Sequence, residues 1–307
     1  MKHYSVLLNE AVEGLKIKSD GIYVDATLGY AGHSSEILKR LKTGHLYGFD
    51  QDMEAIDYAD KRLKEINNNY TIIHSNFVNM KDKLHELGID HVDGILFDLG
   101  LSSPQIDDAS RGFTFMNDAE LDMRMDRSKK FNAKEVVNNY SIDDLTNIFY
   151  EYGEEKLSRV IAKKIVSERD KKEIKTTKEL VNIIEMAVGA KYFNKFHPER
   201  QIFQAIRIEV NNELNVLRDV LPDAIDILNK GGRISCITFH SLEDRIVKHI
   251  FKENSEVNEM VKGLPEIPKE YEPKVILVNK KPILPSDKEL KENSRSKSAK
   301  LRIIERV

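Results

Sequence analysis

Cysteine, tryptophan and long apolar runs are scarce or absent in this chain of 307 residues. Its single cysteine, Cys236, excludes an internal disulfide, which is typical of proteins in a reducing cytoplasm. No run of about 18 apolar residues exists, so the sequence predicts no transmembrane helix. The first ten residues also lack the apolar core of a signal peptide. We therefore expect a cytoplasmic protein that does not enter a membrane.

A zinc-type ligand set and a positive net charge are missing too. One cysteine and nine scattered histidines show no zinc-ligand spacing, so no metal is expected. The formal net charge is -3, whereas proteins that hold nucleic acid by bulk phosphate contacts are usually basic. Nucleic acid would therefore need local basic patches. The clearest is C-terminal and consists of Arg295, Lys297, Lys300, Arg302 and Arg306. A solvated terminus explains that run equally well.

Strand and helix signals alternate over the first hundred residues. Short apolar runs predict four strands, at residues 22–25, 45–50, 71–74 and 92–98. Apolar spacings of three and four predict helices over 34–41 and 55–66. This alternation is typical of βαβ units in a parallel sheet. Asp25, Asp50 and Asp98 end three of the strands, and right-handed crossovers would place them on the edge where ligands bind.

A long helical stretch interrupts this alternation after the fourth strand. The next strong strand signal covers residues 233–239. Within the interval, Thr176 and Glu179 form a capping-box pattern ahead of an apolar stripe, which predicts a helix start. The predicted fold is α/β, with a Rossmann-like core formed from residues 1–111 and 196–307 and a helical domain inserted over residues 112–195.

Residues 200–217 predict one long helix that returns to the core. Its polar side carries Arg200, Gln204, Arg207 and Asn211, which share a face because their spacings are four, three and four. That face is either solvated surface or the lining of a nucleic-acid cleft. The C-terminal region predicts two strands and a loop, at residues 275–278, 301–304 and 282–298 respectively.

The turn after the first strand has the character of a cofactor loop. Gly29 and Gly32 allow a tight bend and a close approach to a ligand. A G-x-G-x-x-G fingerprint is absent, which argues against a pyrophosphate and favours a ligand with a carboxylate and no phosphates, such as S-adenosylmethionine. Asp50, at the end of the second strand, is placed to bond ribose hydroxyls. A purely structural acid is the alternative there.

The segment after the fourth strand has the groups that an amine methylation needs. Methyl transfer from a sulfonium is an in-line displacement, so alignment is its main demand. An exocyclic amine on a base is a poor nucleophile, and oxygen acceptors would align its lone pair and stabilise the charge that develops. Asp98, Ser102, Ser103 and Pro104 are therefore the candidate catalytic residues. A proline-stiffened loop with no catalytic role is the alternative.

Ordered motifs recur along the whole chain. They occupy residues 3–10, 25–29, 31–33, 50–52, 93–105, 111–115, 121–126, 200–207 and 238–245. In these motifs the chain resembles the bacterial small-subunit ribosomal RNA (cytosine-N4) methyltransferases. The resemblance implies a class I methyltransferase core with an inserted helical substrate-recognition domain.

The resemblance also implies the reaction and its participants. A methyl group would pass from S-adenosylmethionine to N4 of one cytosine in the decoding region of 16S rRNA. The implied cofactor contacts are Ala31, Gly32, His33, Asp50, Phe77, Asp98 and Gln105. The implied partner is the small ribosomal subunit, and the protein would act as a monomer or a homodimer.

Six residues are candidates for contact with the RNA. They are Arg200, Arg207, His240, Arg245, Arg295 and Lys297. His240 follows the fifth strand, and a structural histidine is an equal alternative there. At Lys297 the family usually has arginine, and lysine keeps the charge but loses the bidentate fork for phosphate.

Three other functions remain open from the sequence. An NAD-type oxidoreductase is disfavoured by the missing glycine fingerprint. A non-catalytic RNA-binding or ribosome-assembly factor would have a vestigial pocket, and the intact segment 98–105 counts against it. A methyltransferase that acts on another nucleic acid is the third.

Overall fold

The computed structural model describes residues 5–257, 259–261 and 266–307. His3 and Tyr4, in the first motif of the family resemblance, lie outside the described residues. The chain divides into two compact units. The first is Met1–Gly100 with Leu214–Val307, and the second is Leu101–Glu213. Among the described residues, no helix is both long enough and apolar enough to cross a membrane.

A seven-stranded sheet forms the first unit. Its strands are β1 (Ile22–Asp25), β2 (His45–Asp50), β3 (Tyr70–His74), β4 (Val92–Asp98), β5 (Leu228–Thr238), β6 (Val275–Leu277) and β7 (Lys300–Arg306). Their order is β3-β2-β1-β4-β5-β7-β6. The first five strands are parallel, and β7 runs antiparallel to both of its neighbours. The predicted class, an α/β Rossmann-like core with an inserted helical domain, is confirmed.

Fourteen helices are described. They are α1 (Leu8–Gly14), α2 (Gly32–Arg40), α3 (Met53–Lys64), α4 (Met80–Glu86), α5 (Ser103–Asp107), α6 (Ala133–Asn139), α7 (Ile142–Glu151), α8 (Ser158–Arg169), α9 (Thr177–Val188), α10 (Ala190–Phe196), α11 (Pro198–Asn211), α12 (Glu213–Asp226), α13 (Ser241–Ser255) and α14 (Asp287–Glu292). In the first hundred residues, a helix lies between each pair of consecutive strands, as the alternating pattern predicts.

The parallel strands bring the strand-end acids to one edge. In the register of β1, Asp25 pairs with Gly48 of β2 and with Leu96 of β4. Ile95, Leu96 and Phe97 in the second half of β4 are fully buried, as expected for a central parallel strand. Asp25, Asp50 and Asp98 therefore all stand where parallel strands end, at the edge that binds ligands in open α/β sheets.

The second unit packs around its own apolar core. Residues from α6, α7, α8, α9 and α11 fill this core, and Ile202, Phe203 and Ile206 of α11 are among them. Because α11 packs in this core, the compact unit extends past residue 195 to Glu213, whereas the predicted insertion covers 112–195. The capping box before α9 forms as predicted: the Glu179 N–H donates to the Thr176 hydroxyl, and the Thr176 N–H donates to the Glu179 carboxylate.

The prediction of a single helix over 200–217 is wrong. Helix α11 ends at Asn211 and α12 begins at Glu213. Asn212 has a φ of 53°, in the left-handed region, which interrupts the helical backbone. Asparagine tolerates this conformation better than most residues. The apolar pattern runs through the break, because it reports which side is buried and not where the backbone turns.

The prediction of an uninterrupted loop over 282–298 is also wrong. Helix α14 begins after Ser286, whose hydroxyl accepts the N–H of Glu289. A 3-10 helix follows over Ser294–Ser298. Elements of this length are too short for apolar periodicity to show them. The neighbouring strand predictions hold, since β6 and β7 occupy the predicted places.

Loss of the Thr176 cap should destabilise the helical unit. We expect Thr176→Ala to lower the free energy of unfolding by about 1 kcal/mol, because an N–H at the start of α9 loses its acceptor. Urea denaturation followed by circular dichroism measures this change. Thr176→Ser retains the hydroxyl and should stay close to wild type, whereas equal losses in both variants would contradict the capping role.

Candidate active site

The end of β1 is tied to the start of α2 by Asp25. Its side chain is 1% exposed. It accepts a hydrogen bond from the Ser34 hydroxyl at 2.6 Å and another from the Thr27 N–H at 3.1 Å. Burial raises the pKa of Asp25 from 3.8 to about 6, although both hydrogen bonds act in the opposite direction. Asp25 therefore shapes the loop between β1 and α2.

Asp50 links the same loop to β2. Its Oδ2 accepts the N–H of Gly29 at 2.7 Å, and its Oδ1 accepts the N–H of Asp52 at 2.8 Å. Burial raises the pKa of Asp50 to about 6. Gly29 has a φ of 48°, a conformation that glycine adopts without strain. A structural role therefore accounts for these contacts of Asp50, and its predicted contact with a ribose stays a prediction.

Ala31 and Gly32 form the start of α2. Ala31 is fully buried and has a φ of 58°. A Cβ placed on Gly32 would lie 1.8 Å from the Ser5 hydroxyl. The absence of a side chain at Gly32 therefore makes room for the N-terminal segment, an explanation other than the predicted close approach to a ligand.

His33 and Asp98 come together in the first unit. The His33 Nδ1 lies 3.4 Å from the Asp98 Oδ2. Asp98 Oδ1 is buried and has no hydrogen-bond partner among the described residues. Burial, followed by the charges of Asp25 and Glu243, raises the pKa of Asp98 well above its ordinary value. Burial lowers the pKa of His33 to about 4. Asp98 is thus an acid with a raised pKa at the edge of the sheet where ligands bind in such folds.

Phe77 begins a 3-10 helix just after β3. Its ring meets that of Phe97 edge-on, with centroids 5.8 Å apart and an interplanar angle of 84°. Phe97 is buried, whereas Phe77 remains partly exposed. A partly exposed ring that a buried ring holds in place can cover a flat ligand.

Ser102, Ser103, Pro104 and Gln105 belong to the second unit, and they start a helix instead of the predicted loop. The Ser102 hydroxyl accepts the N–H of Gln105, whose side-chain oxygen accepts the N–H of Ser102. This capping box holds α5, with Pro104 in its first turn. The hydroxyls of Ser102 and Ser103 are therefore carried on a fixed backbone, which favours alignment of a nucleophile.

His240 caps helix α13. Its Nδ1 accepts the N–H of Glu243, whose carboxylate accepts the N–H groups of Phe239 and His240. A structural role, as the N-terminal cap of α13, therefore accounts for the position of His240. Its predicted contact with RNA stays a prediction.

The polar side of α11 is largely used inside the second unit. Gln204 donates to the Tyr152 carbonyl at 2.9 Å. Asn211 donates to the Met123 carbonyl and accepts the N–H of Met125, both at 2.8 Å. Arg207 forms a bidentate pair with Glu213, with both distances 2.9 Å. Three of the four polar side chains on this side therefore form contacts within the protein, which matches neither a solvated surface nor a cleft lining in which every side chain is available to a ligand.

The six RNA candidates differ in how they are held. Arg200, Arg245 and Lys297 are exposed, and Arg295 is partly exposed in the 3-10 helix before β7. Arg207 and His240 take part in the contacts described above. The basic C-terminal run is not a solvated tail, because Lys300 and Arg302 lie on β7 and contact Asp244 at 2.9 and 2.7 Å.

Several residues that build this site were missed from the sequence. Thr27 accepts the N–H of Asp98 on its hydroxyl, Ser34 bonds Asp25, and the Val6 carbonyl lies 3.1 Å from the His33 Nε2. Short polar residues beside a strand-end acid were the available signal for Thr27 and Ser34. Nothing in the local sequence indicates the contact with Val6, because the two residues are far apart along the chain.

The fold and this edge of the sheet define a class I methyltransferase. The model of the MraW methylase family matches residues 1–307, and the chain belongs to this family. The resemblance found from the sequence motifs is confirmed.

Two curated relatives are described as Ribosomal RNA small subunit methyltransferase H. The one from Lactiplantibacillus plantarum is 53% identical over 310 residues, which cover 100% of this chain and 97% of the relative. The one from Exiguobacterium sibiricum is 53% identical over 307 residues, which cover 100% and 98%. A solved rRNA methylase from Streptococcus thermophilus is 11% identical, with a TM-score of 0.45 and coverage of 98% and 93%.

Substitution of Asp25 should change how stability depends on pH. The folded-state pKa of about 6 lies above the ordinary value of 3.8, so the folded state binds this proton more tightly. The carboxyl therefore costs stability as the pH rises from about 4 through about 6. Relative to wild type, we expect Asp25→Asn to gain up to about 3 kcal/mol over that range.

Urea denaturation at several pH values measures this gain. Asp57→Asn removes an exposed carboxyl from α3 and is the matched control. A constant difference between Asp25→Asn and wild type across the range would contradict the raised pKa.

Proposed function

We propose that this protein transfers a methyl group from S-adenosylmethionine to the exocyclic N4 of a cytosine in 16S rRNA, acting in the cytoplasm on the small ribosomal subunit. The observation that carries the proposal is Asp98, a partly exposed acid at the carboxyl edge of the sheet whose buried Oδ1 has no hydrogen-bond partner among the described residues. The full-length relatives with ribosomal RNA methyltransferase names support the substrate class.

The residues at this edge fit such a cofactor. The Asp98 side chain is 26% exposed, so a ligand group can reach the carboxyl. In the proposal, Asp50 accepts from the ribose, Phe77 covers the adenine, and Asp98 faces the methionyl end. The remaining proposed cofactor contacts are Ala31, Gly32, His33 and Gln105. When bound, the cofactor supplies an electrophilic methyl group on a cationic sulfur.

The chain's own residues have to position the amine. The hydroxyls of Ser102 and Ser103 stand on the capped start of α5, beside Pro104, and their oxygens would accept hydrogen bonds from the N–H groups of the target amine. Alignment of its lone pair is the main requirement of an in-line transfer. The cytosine must leave its stack to reach the methyl group, as in other enzymes that modify bases. Its proton would leave to water.

An RNA-binding or assembly factor without catalysis is the second candidate. The exposed cations Arg200, Arg245 and Lys297 would serve either function. The perturbed acid at Asp98 favours the enzyme, since binding of RNA alone would not need a buried carboxyl at the cofactor edge.

Substitution of Asp98 should abolish methyl transfer without unfolding the protein. Its Oδ1 has no partner among the described residues, so Asp98→Ala removes an unfavourably buried group and the fold should persist. With tritiated S-adenosylmethionine and small subunits that lack their native modifications, we expect the transfer rate to fall by about 100-fold or more.

The matched control is Asp57→Ala on α3, which should label one cytosine N4 at the wild-type rate. Cofactor binding by the wild type without label in the RNA would contradict this substrate and favour the non-catalytic function. An unchanged rate in Asp98→Ala would contradict the place of Asp98 in the site.

Charge reversal at Arg200, Arg245 and Lys297 should weaken binding to the small subunit and reduce its dependence on salt. Each lost phosphate contact lowers the slope of log affinity against log salt by about 0.7 to 0.9. Reversal of Lys39, Lys61 and Arg218 changes the net charge equally, on other exposed residues, and is the control. Equal effects of the two triple variants would show that only net charge matters.

A further inference from the structure

The contact between His33 and Asp98 brings two groups together whose protonation states are linked. The His33 Nε2 lies 3.1 Å from the Val6 carbonyl. A carbonyl oxygen only accepts, so this nitrogen carries a hydrogen. In a neutral imidazole the other nitrogen, Nδ1, is then an acceptor, and it lies 3.4 Å from the Asp98 Oδ2. A carboxylate there would set two acceptors against each other, which favours a proton on one of the two groups unless a cation offsets the repulsion.

The surroundings decide where that proton resides. His33 on α2 is the basic group that faces Asp98. The titratable groups on other elements that interact electrostatically with it are Asp25 at the end of β1, Cys236 on β5 and Glu243 on α13. Two of these are acids, and they disfavour a second negative charge. Burial raises the pKa of Asp98 and lowers that of His33, so the neutral carboxylic acid beside a neutral imidazole is the favoured form.

This arrangement leaves the carboxyl ready for a cation. The Asp98 Oδ1 is buried and has no hydrogen-bond partner among the described residues, while a quarter of the side chain as a whole is exposed. A positive charge placed against it would stabilise the carboxylate, and the proton would no longer be retained. S-adenosylmethionine has such charges at its methionyl end, in its sulfonium and its ammonium.

We propose that the Asp98–His33 pair exchanges its proton for the cationic methionyl end of the cofactor, so that binding of one S-adenosylmethionine releases one proton. The inference rests on the proposed function, since it needs the cofactor at this edge. The step balances: the protonated enzyme and the cofactor cation give the complex, with a carboxylate at Asp98, and a free proton. Cofactor affinity then depends on pH through this carboxyl.

The sign of the dependence follows from the exchange. Below the pKa of Asp98 in the free protein, each unit of rising pH should strengthen cofactor binding up to about tenfold, and above it the affinity should level off. 5′-Methylthioadenosine has the adenosine part but neither the sulfonium nor the ammonium. Titration of Asp50 near the ribose affects both ligands and cancels in their comparison.

Isothermal titration calorimetry from about pH 5 to about pH 8 provides the test. We expect the affinity ratio of S-adenosylmethionine to 5′-methylthioadenosine to rise with pH. Titrations in buffers of different ionisation enthalpy should show about one proton released per S-adenosylmethionine at the acidic end. S-adenosylhomocysteine identifies the cation, because it retains the slope if the ammonium is responsible and loses it if the sulfonium is.

Two variants separate this exchange from a structural role. Asp98→Asn has no titrating carboxyl, so the ratio should become independent of pH while 5′-methylthioadenosine still binds. His33→Gln keeps a donor toward the Val6 carbonyl and removes the Nδ1 acceptor. The neutral acid then loses its partner, and the rise should move to lower pH.

Parallel pH profiles for the two ligands in wild type, or a rise that persists in Asp98→Asn, would overturn the proton exchange and leave the proposed function in place. Failure of S-adenosylmethionine to bind at any pH would overturn the proposed function, and the exchange with it.

Discussion

Buried carboxylates at the ends of parallel strands hold the candidate site together. Asp25 binds the first turn of α2 through Ser34, and Asp50 binds the turn before it through the N–H of Gly29. Asp25 is buried and Asp50 is partly buried, so their charges are costly, and burial raises both pKa values to about 6. The loop that would meet the cofactor is therefore shaped by the same carboxyl groups whose pKa values are raised at this edge.

Much of the fold could be predicted from the sequence, because apolar periodicity reports burial. The strands β1 to β4 and the capping box at Thr176 follow directly from such local patterns. Backbone conformation at single residues does not leave that kind of signal. The left-handed Asn212 divides one apolar stripe between α11 and α12, and α14 is too short to show a period. The extent of the helical unit depends on which core α11 joins, and that is a tertiary property.

The site was predictable in part for similar reasons. A strand that ends in an acid is a local pattern, so Asp25, Asp50 and Asp98 could be found, and the family resemblance implied His33 and Phe77. The partners of these residues come from distant parts of the chain. Ser5 fills the space over Gly32, and the Val6 carbonyl fixes the tautomer of His33. No spacing rule indicates those contacts, although they decide which hydrogen-bonding groups remain for a ligand.

Hydrogen–deuterium exchange with and without S-adenosylmethionine tests the central claim most directly, that the cofactor binds where the strand-end acids meet. Binding there should slow the exchange of backbone N–H groups in residues 26–35, around Asp50 to Asp52, and after β4, because these groups hold the loop that the ligand would cover. The account would be contradicted if saturating cofactor left the exchange rates of these segments unchanged and slowed exchange elsewhere in the sheet-bearing unit.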